Sequence, residues 1–371
     1  MFGKTKNKSE GLFTASQWQL MTWRFSRHRV AVVSLVVLVI FYLIAAFCEF
    51  VAPYDPGRYS AKYVLAPPTT LHFVSPEGKF SLRPYVFGLE SARDMETLAV
   101  VFEVDESQVY PIKFLVHGDP YKLWGLWESD IHLFGVDGED GMLFLWGADS
   151  MGRDLFSRVV FGARISLSIG LVGVFLSLVL GVILGGISGY FGGAVDVVIQ
   201  RVIEFLRSLP AIPLWMTLAA ALPHGWSPMR LYFAITVLLS LIGWTGLARV
   251  VRGRFMSLRE EDFVMAARLC GASEMRVILR HLVPSFLSHL IASLTLSIPG
   301  MILSETSLSF LGLGLQPPVV SWGVLLQTAQ NLRTVVLAPW LLLPGLAVVI
   351  VVLAFNFVGD GMRDAADPYS H

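Results

Sequence analysis

The residues with the types and spacing to do specialised work in this sequence are few. Glu305 stands at the outer end of an apolar stretch, Phe286–Ser304, long enough to cross a bilayer, after Pro299-Gly300 loosens the helix. A carboxylate at membrane depth is costly and therefore a functional candidate by default. Ser304 and Thr306 flank it and can hydrogen-bond it, so a structural role and a role in a pathway or gate both stand open. Gly173, Ser177, Gly181, Gly185 and Gly189 recur every four residues, which places them on one helix face. Small faces let membrane helices approach closely, in static packing or at a moving interface.

Groups for covalent or metal chemistry are missing. No G-x-S-x-G, H-E-x-x-H or paired C-x-x-C motif occurs. Gly3-Lys4-Thr5 has the tail of a phosphate loop without the glycines that precede it. His72, His117 and His132 are too scattered for a metal site and read as surface histidines. Asp196, Arg201, Glu204 and Arg207 alternate in sign and read as a solvated amphipathic helix rather than an acid–base pair. Cys48 and Cys270 cannot build a disulfide framework. Ala45-Ala46-Phe47-Cys48 faintly resembles a lipoprotein cleavage site, but Phe47 is too large for the position before the cysteine.

A third pattern lies in Ser257–Pro284, where two short helical stretches meet at Gly271 and Pro284 precedes the next apolar run. A helical hairpin with exposed Met275 and Ile278 is a docking element, since a partner groove accepts such an apolar face.

The elements that must hold these residues are membrane helices. Of the 371 residues, 54% are hydrophobic and only 15% charged, which excludes a disordered chain, a disulfide scaffold and an ordinary soluble enzyme. Net charge is zero, so the whole chain has no nucleic-acid footprint. Apolar runs predict spans at Val30–Phe50, Ile165–Ile187, Phe205–Leu222, Leu231–Val251, Phe286–Ser304 and Val335–Val358, the third crowded by Pro210, Pro213 and Pro223. Lys4, Lys6, Lys8, Arg24, Arg27 and Arg29 precede the first span, and seven arginines fill 249–284. The opposite loops, His224–Arg230 and Thr306–Thr334, hold only Arg230 and Arg333. This asymmetry places both termini in the cytoplasm. Trp18, Leu20, Met21, Trp23 and Phe25, interleaved with Gln17, Gln19, Arg24 and Arg27, suit a short interfacial helix or a flanking anchor.

The expected organisation is an N-terminal cytoplasmic and interfacial segment, 1–29, then a first span, 30–50. An extracytoplasmic insert, 51–145, follows, and then a core, 146–371, with five spans and a cytoplasmic loop at 252–284. Val51–Arg164 carries ten Lys/Arg against sixteen Asp/Glu, a net −6. Thr97–Val104 and Val109–Val116 read as strands, with turns at Gly118-Asp119-Pro120 and Asp137–Gly141. The expected fold class is all-α membrane protein with a small β-rich insert.

Ala266-Ala267, Gly271, Ile278 and Leu282-Val283-Pro284 resemble the "EAA" loop of binding-protein-dependent ABC importer permeases. Trp146–Asp154 with Ser157-Arg158 and Gly189–Gly193 with Asp196 are similar to the oligopeptide/dipeptide/nickel branch, in its second, C-type chain. So are Ser307–Gly314 through Pro317-Pro318 to Ser321-Trp322-Gly323, and Phe355–Gly361 with Arg363-Asp364 and Asp367-Pro368. The resemblance covers about 17–52 and 144–368. Met265 stands where the loop's name-giving glutamate usually sits, and 53–143 is an insert that shorter members lack.

The resemblance implies a six-helix type I importer permease of the prokaryotic inner membrane, not an enzyme. Ala266, Ala267 and Gly271 would shape the loop, and Ala272, Ser273, Glu274, Met275 and Arg276 would form a coupling helix ahead of Pro284. Its partners would be a second permease chain, two ABC ATPase subunits carrying ATP and Mg, and an extracytoplasmic binding protein, with no cofactor on this chain. Gly173, Gly181, Gly185, Gly189 and Glu305 are the packing or pathway candidates. Peptide is the expected cargo; nickel chelates, oligosaccharides and opine-like compounds use similar chains. A membrane-embedded enzyme and a receptor are the rival classes. An enzyme needs a cluster of polar groups at membrane depth, where only Glu305 stands, and a receptor needs no coupling loop.

Overall fold

A computed structural model of the protein describes residues 17–74, 80–93, 100–136, 141–223 and 225–366. The Lys4, Lys6, Lys8 and Gly3-Lys4-Thr5 features, residues 97–99 and 137–140 of the expected strand and turn, His224, and Asp367-Pro368 lie outside these residues.

Helix α1 (Gln17–Arg27) leads into α2 (Arg29–Ala46) and the single turn α3 (Cys48–Val51), so the first span breaks at Phe47 instead of running straight to Phe50. Four strands, β1 (His72–Val74), β2 (Phe80–Arg93), β3 (Val100–Leu123) and β4 (Trp127–Val136), form an antiparallel meander in the order β1-β2-β3-β4. Helix α4 (Leu155–Phe191) has 37 residues and starts well before the expected Ile165. At 1.5 Å per residue it is about 55 Å long, against a hydrocarbon core of about 30 Å. Then come α5 (Gly193–Ser208), α6 (Ala211–Ala220), α7 (Pro228–Leu258), α8 (Asp262–Leu269), α9 (Glu274–Arg276), α10 (Val283–Ser285) and α11 (Leu287–Phe310). Helices α12 (Trp322–Gln327), α13 (Leu332–Leu337) and α14 (Leu343–Ala366) complete the chain.

Among the described residues five helices are long and apolar enough to cross a membrane, and α5 with α6, bent by 88°, makes a sixth if counted as one broken span. The expected third span is therefore two helices. Pro210 lacks an N–H and pushes Leu209 into the extended region, where it lies at φ −84°, ψ 136°. The last span is also displaced: Val335 belongs to α13, and the crossing helix begins after Ala338, at Pro339. Gly185–Gly189 stay helical, and the chain turns only at Gly192 and Gly193, with φ of 66° and 55°.

Gly118-Asp119-Pro120 is not a turn. The 24-residue β3 runs through it with a register shift between His117 and Tyr121. The segment is held laterally: the Asp119 carboxylate accepts from Arg58 at 3.1 Å and from the Asp55 amide at 3.2 Å. The Asp119 carbonyl faces Nε2 of buried His132 at 2.9 Å. The chain reverses later, at Trp124-Gly125, both at positive φ.

The described residues form two compact units. One comprises 17–39, 169–304 and 350–366. Its core gathers Tyr190, Leu247, Val251, Phe255, Val264, Val277, Leu282, Phe286 and Leu290. The small face of α4 packs here. A Cβ on Gly181 would meet Leu247 at 3.0 Å, and one on Gly189 would meet the Arg252 carbonyl at 2.6 Å. At Gly185 the obstacle is the Ala248 backbone, and at Gly173 it is Met301 on α11. Ser240 Oγ donates to the Gly173 carbonyl at 3.0 Å and Ser177 Oγ to the Ser240 carbonyl at 3.3 Å, so hydroxyls stitch the close approach.

The other unit comprises 40–168 and 305–349 and holds the β-meander. Trp322, fully buried, donates from Nε1 to the Val159 carbonyl at 3.0 Å, and Phe41 lies edge-on to it. The Trp146–Arg158 motif is a tight turn around the Asp149 carboxylate, which accepts from the amides of Met151 and Arg153 and from the Arg153 and Arg158 side chains. Asp154 caps α4 by accepting from the Ser157 amide at 2.7 Å. Burial, helped by neighbouring Asp149, pushes the Asp154 carboxyl up to about 7. The folded state thus keeps a proton that the unfolded chain releases near its ordinary value of 3.8. Stability therefore falls as pH rises from about 4 to about 7 and is flat above that window. Thermal unfolding midpoints measured across this range should show the decline in the parent protein and a flatter profile in Asp154→Asn.

Both cysteines are free thiols, Cys48 buried and Cys270 exposed.

Candidate functional site

The hairpin is built around Gly271. Helix α8 ends with the Ala272 amide donating to the Ala267 carbonyl at 3.1 Å and the Gly271 amide to the Arg268 carbonyl at 2.9 Å. This is a Schellman cap, which needs a left-handed residue at the Gly271 position. Gly271 supplies it with φ 78°. Ser273 is extended, and the second helical stretch starts at Glu274, two residues later than expected. It continues through a π-type segment, Val277–Leu282, into Pro284.

One face of the hairpin is fixed and the other is open. Val264, Val277 and Leu282 are fully buried in the core of their unit, with Ala267 and Ala272 packed beside them. Ile278 also packs inward, so of the two apolar residues expected outside only Met275 is exposed. The outer face instead presents Phe263, Met265, Leu269, Met275 and Leu279, with Leu269 89% exposed. Ala266, Ser273, Glu274 and Arg276 share that exposure. Arg268 lies over the ring of buried Tyr190, its guanidinium 5.1 Å from the centroid.

The glycine-rich end of α4 is tied to α7 close by. Asp196 is not a solvated charge: its carboxylate takes both Arg252 Nε at 2.5 Å and Nη2 at 2.6 Å. It also accepts from Ser188 Oγ at 2.5 Å. Arg201 and Glu204 pair in the open, as a solvated face requires.

A cavity of about 360 Å³ opens in the same unit. Its walls include Val174 and Ser177 of α4, Trp215 of α6, Gly243 of α7, and Ser297 and Gly300 of α11. Most of the lining is apolar, and no charged residue contributes. Ser177, Ser297 and Ser304 donate to backbone carbonyls, which leaves their oxygens as acceptors. Trp215 Nε1 is buried with no acceptor among the described residues. A Cβ on Gly300 would meet nothing within 4 Å, so that glycine leaves space in the cavity and not in a helix contact. Ser177 and Gly300, both singled out in the sequence, lie on the two expected pathway helices that wall this opening.

Glu305 lies in the other unit and is fully buried within α11, which runs through Pro299 to Phe310. Its partners are not the flanking residues: Ser304 Oγ donates to the Gly300 carbonyl, and Thr306 Oγ1 has no partner among the described residues. Instead Oε1 accepts from Ser309 and Ser321, each at 2.8 Å, and Oε2 from Ser166 at 3.3 Å. Each of these serines accepts in turn from a backbone amide: Leu315 at 2.9 Å, Val324 at 3.3 Å and Trp322 at 3.1 Å. Three peptide dipoles thus converge on one carboxyl group with no cation among the described residues beside it. This arrangement fixes the 309–324 segment to α4; Ser309 stands one helical turn from Glu305, whereas Ser166 and Ser321 are not identifiable from local sequence.

Residues 177–369 match the family described as binding-protein-dependent transport system inner membrane component. Residues 16–68 match the N-terminal TM domain of oligopeptide transport permease C. An oligopeptide transport system permease, OppC of Haemophilus influenzae, is 42% identical over 224 residues, covering 60% of this chain and 70% of its own. A dipeptide transport system permease, DppC of Bacillus subtilis, is 38% identical over 225 residues, 60% of this chain and 68% of its own. Among solved structures, a chain of the MetNI methionine ABC transporter in an inward-facing conformation covers 57% of this chain and 96% of that one. It has 19% identity and a TM-score of 0.45.

Proposed function

Because the chain belongs to the binding-protein-dependent transport inner-membrane components, and so is a multi-pass membrane permease and not an enzyme, we propose that it forms half of a peptide-translocating path. A second, different permease chain supplies the other half. Two ATPase subunits, which bind ATP and Mg, drive it, and a binding protein delivers the peptide. Peptide is favoured because the relatives are named as oligopeptide and dipeptide permeases. Both termini face the cytoplasm, and 51–145 faces outward.

The observation that carries this reading is the two-faced hairpin. Its inner side is anchored by Val264, Val277 and Leu282, and its outer side offers Met265, Leu269 and Met275. An apolar surface on a rigid base accepts a groove and transmits its displacement. Ala266, Ala267 and Gly271 shape the joint, and Ala272 to Arg276, followed by Pro284, form the part that seats in the ATPase. Met265 replaces the usual glutamate with an apolar contact, so docking here rests on burial more than on an ion pair. Closure of the two ATPases on ATP then turns the bundle from inward-open to outward-open.

The test is purification of the assembled importer with a photo-crosslinker placed at Glu274. Capture of an ATPase chain supports the reading; a chain recovered alone, with no ATPase crosslinked, overturns it.

The uncharged cavity at Trp215 and Gly300 is the stretch of path this chain contributes. Filling it with Gly300→Leu should lower peptide uptake several-fold. ATP hydrolysis by the assembled importer should be retained, as read in proteoliposomes.

A further inference from the structure

A second cavity, about 620 Å³, lies between α1 and the last turns of α14 and is lined by Trp23, Arg24, Arg27, His28, Gly361 and Asp364. It is far larger than a bare phosphate needs. The Arg27 guanidinium carbon lies over the Trp23 indole, 3.6 Å from the ring centroid, and no carboxylate among the described residues pairs with it. Stacking leaves its in-plane N–H fork open, the geometry that grips a phosphate through two oxygens. His28 Nδ1 accepts from the Ala31 amide at 3.2 Å, so the ring proton sits on Nε2, a further donor. Two arginines face a single carboxylate, Asp364, so the lining is net positive.

Its position selects the anion. The 18-residue apolar helix α2 begins at Arg29, directly after the cavity, and Trp23 is 42% exposed. Tryptophan beside arginine at the end of a crossing helix marks the depth of lipid headgroups. Val30 and Val33, at 51% and 62% exposure, continue along α2 as an apolar track for acyl chains. We propose that this cavity holds the headgroup of an anionic glycerophospholipid, its phosphodiester on Arg27 and His28 and its tails along Val30 and Val33.

Native mass spectrometry of the assembled importer in detergent tests this, titrated with phosphatidylglycerol or with phosphatidylcholine of the same chains. Phosphatidylglycerol should bind more tightly at one site. Arg27→Gln should weaken that site about fivefold, the effect of one basic residue at a membrane surface. Trp23→Leu, which unstacks the guanidinium, should weaken it in the same direction. Equal binding of the two lipids overturns the proposal, as does an unchanged affinity in Arg27→Gln. Displacement of phosphatidylglycerol by millimolar inorganic phosphate also overturns it, since the site would then be a small-anion site. If Arg27→Gln fails to assemble, the comparison of the two lipids on the parent complex decides alone.

Discussion

Gly271→Val is expected to uncouple the importer, while Gly271→Asn is expected to leave uptake near the parent level. Gly271 is exposed and a Cβ there has free space around it, so bulk is not the obstacle. The obstacle is φ 78°. A β-branched residue is strained in the left-handed region, by about 1–2 kcal/mol, whereas asparagine enters it readily. Relieving the strain opens the Schellman cap and swings Glu274–Arg276 away from its docked direction. If that strain is set against docking, the docked population falls about five- to thirtyfold. Peptide uptake and peptide-stimulated ATP hydrolysis in proteoliposomes check this, with the amount of each variant in the complex as the control. Equal activity of Val and Asn variants would show that the joint's conformation does not matter.

Glu305→Ala is expected to damage the fold itself. Three serine hydroxyls that now donate to the carboxyl group would point into a buried space with no acceptor. Leaving several buried donors unsatisfied costs about 3 kcal/mol or more in total. Glu305→Gln keeps one carbonyl oxygen and the side-chain volume, so its loss should be clearly smaller. Thermal unfolding of the detergent-solubilised chain, followed by uptake per folded molecule, separates the two roles left open by the sequence. A lower midpoint with normal uptake per folded molecule identifies a structural clamp. A normal midpoint with lost uptake identifies a gate.

Physics with a short range was legible in the sequence. Hydropathy located the crossing helices to within a few residues at most ends, because burial in lipid acts on a run of side chains whatever their partners. The spacing of Gly173, Ser177, Gly181, Gly185 and Gly189 gave one tightly packed face, because helical periodicity is local. Gly271 was legible for the same reason: a helix stop followed by a restart needs a left-handed joint. Several helix ends were misplaced, and the other failures are contacts between distant segments. Ser166 and Ser321 approach Glu305 from 139 and 16 residues away, and no local pattern announces them. Asp119 looked like a turn former until Arg58 and His132 held it straight. Asp196 looked solvated because its partner Arg252 lies 56 residues further on. Pro210 was read as crowding a single span, but its local effect on Leu209 divides that span into two helices bent by 88°.

The hydroxyl cage around Glu305 also bears on how the protein is made. Of the candidate spans, the one ending at Phe310 has the lowest hydropathy, 1.2, and it carries a carboxyl group that lipid does not tolerate well. Ser309 lies on the same helix, one turn on, but Ser166 belongs to a helix synthesised much earlier and Ser321 to a segment that emerges afterwards. The carboxyl group on this crossing is therefore satisfied by groups from the second crossing and from the following loop as well as from its own helix. Ser166 and Ser321 thus supply two of the three hydroxyls that satisfy the Glu305 carboxyl group.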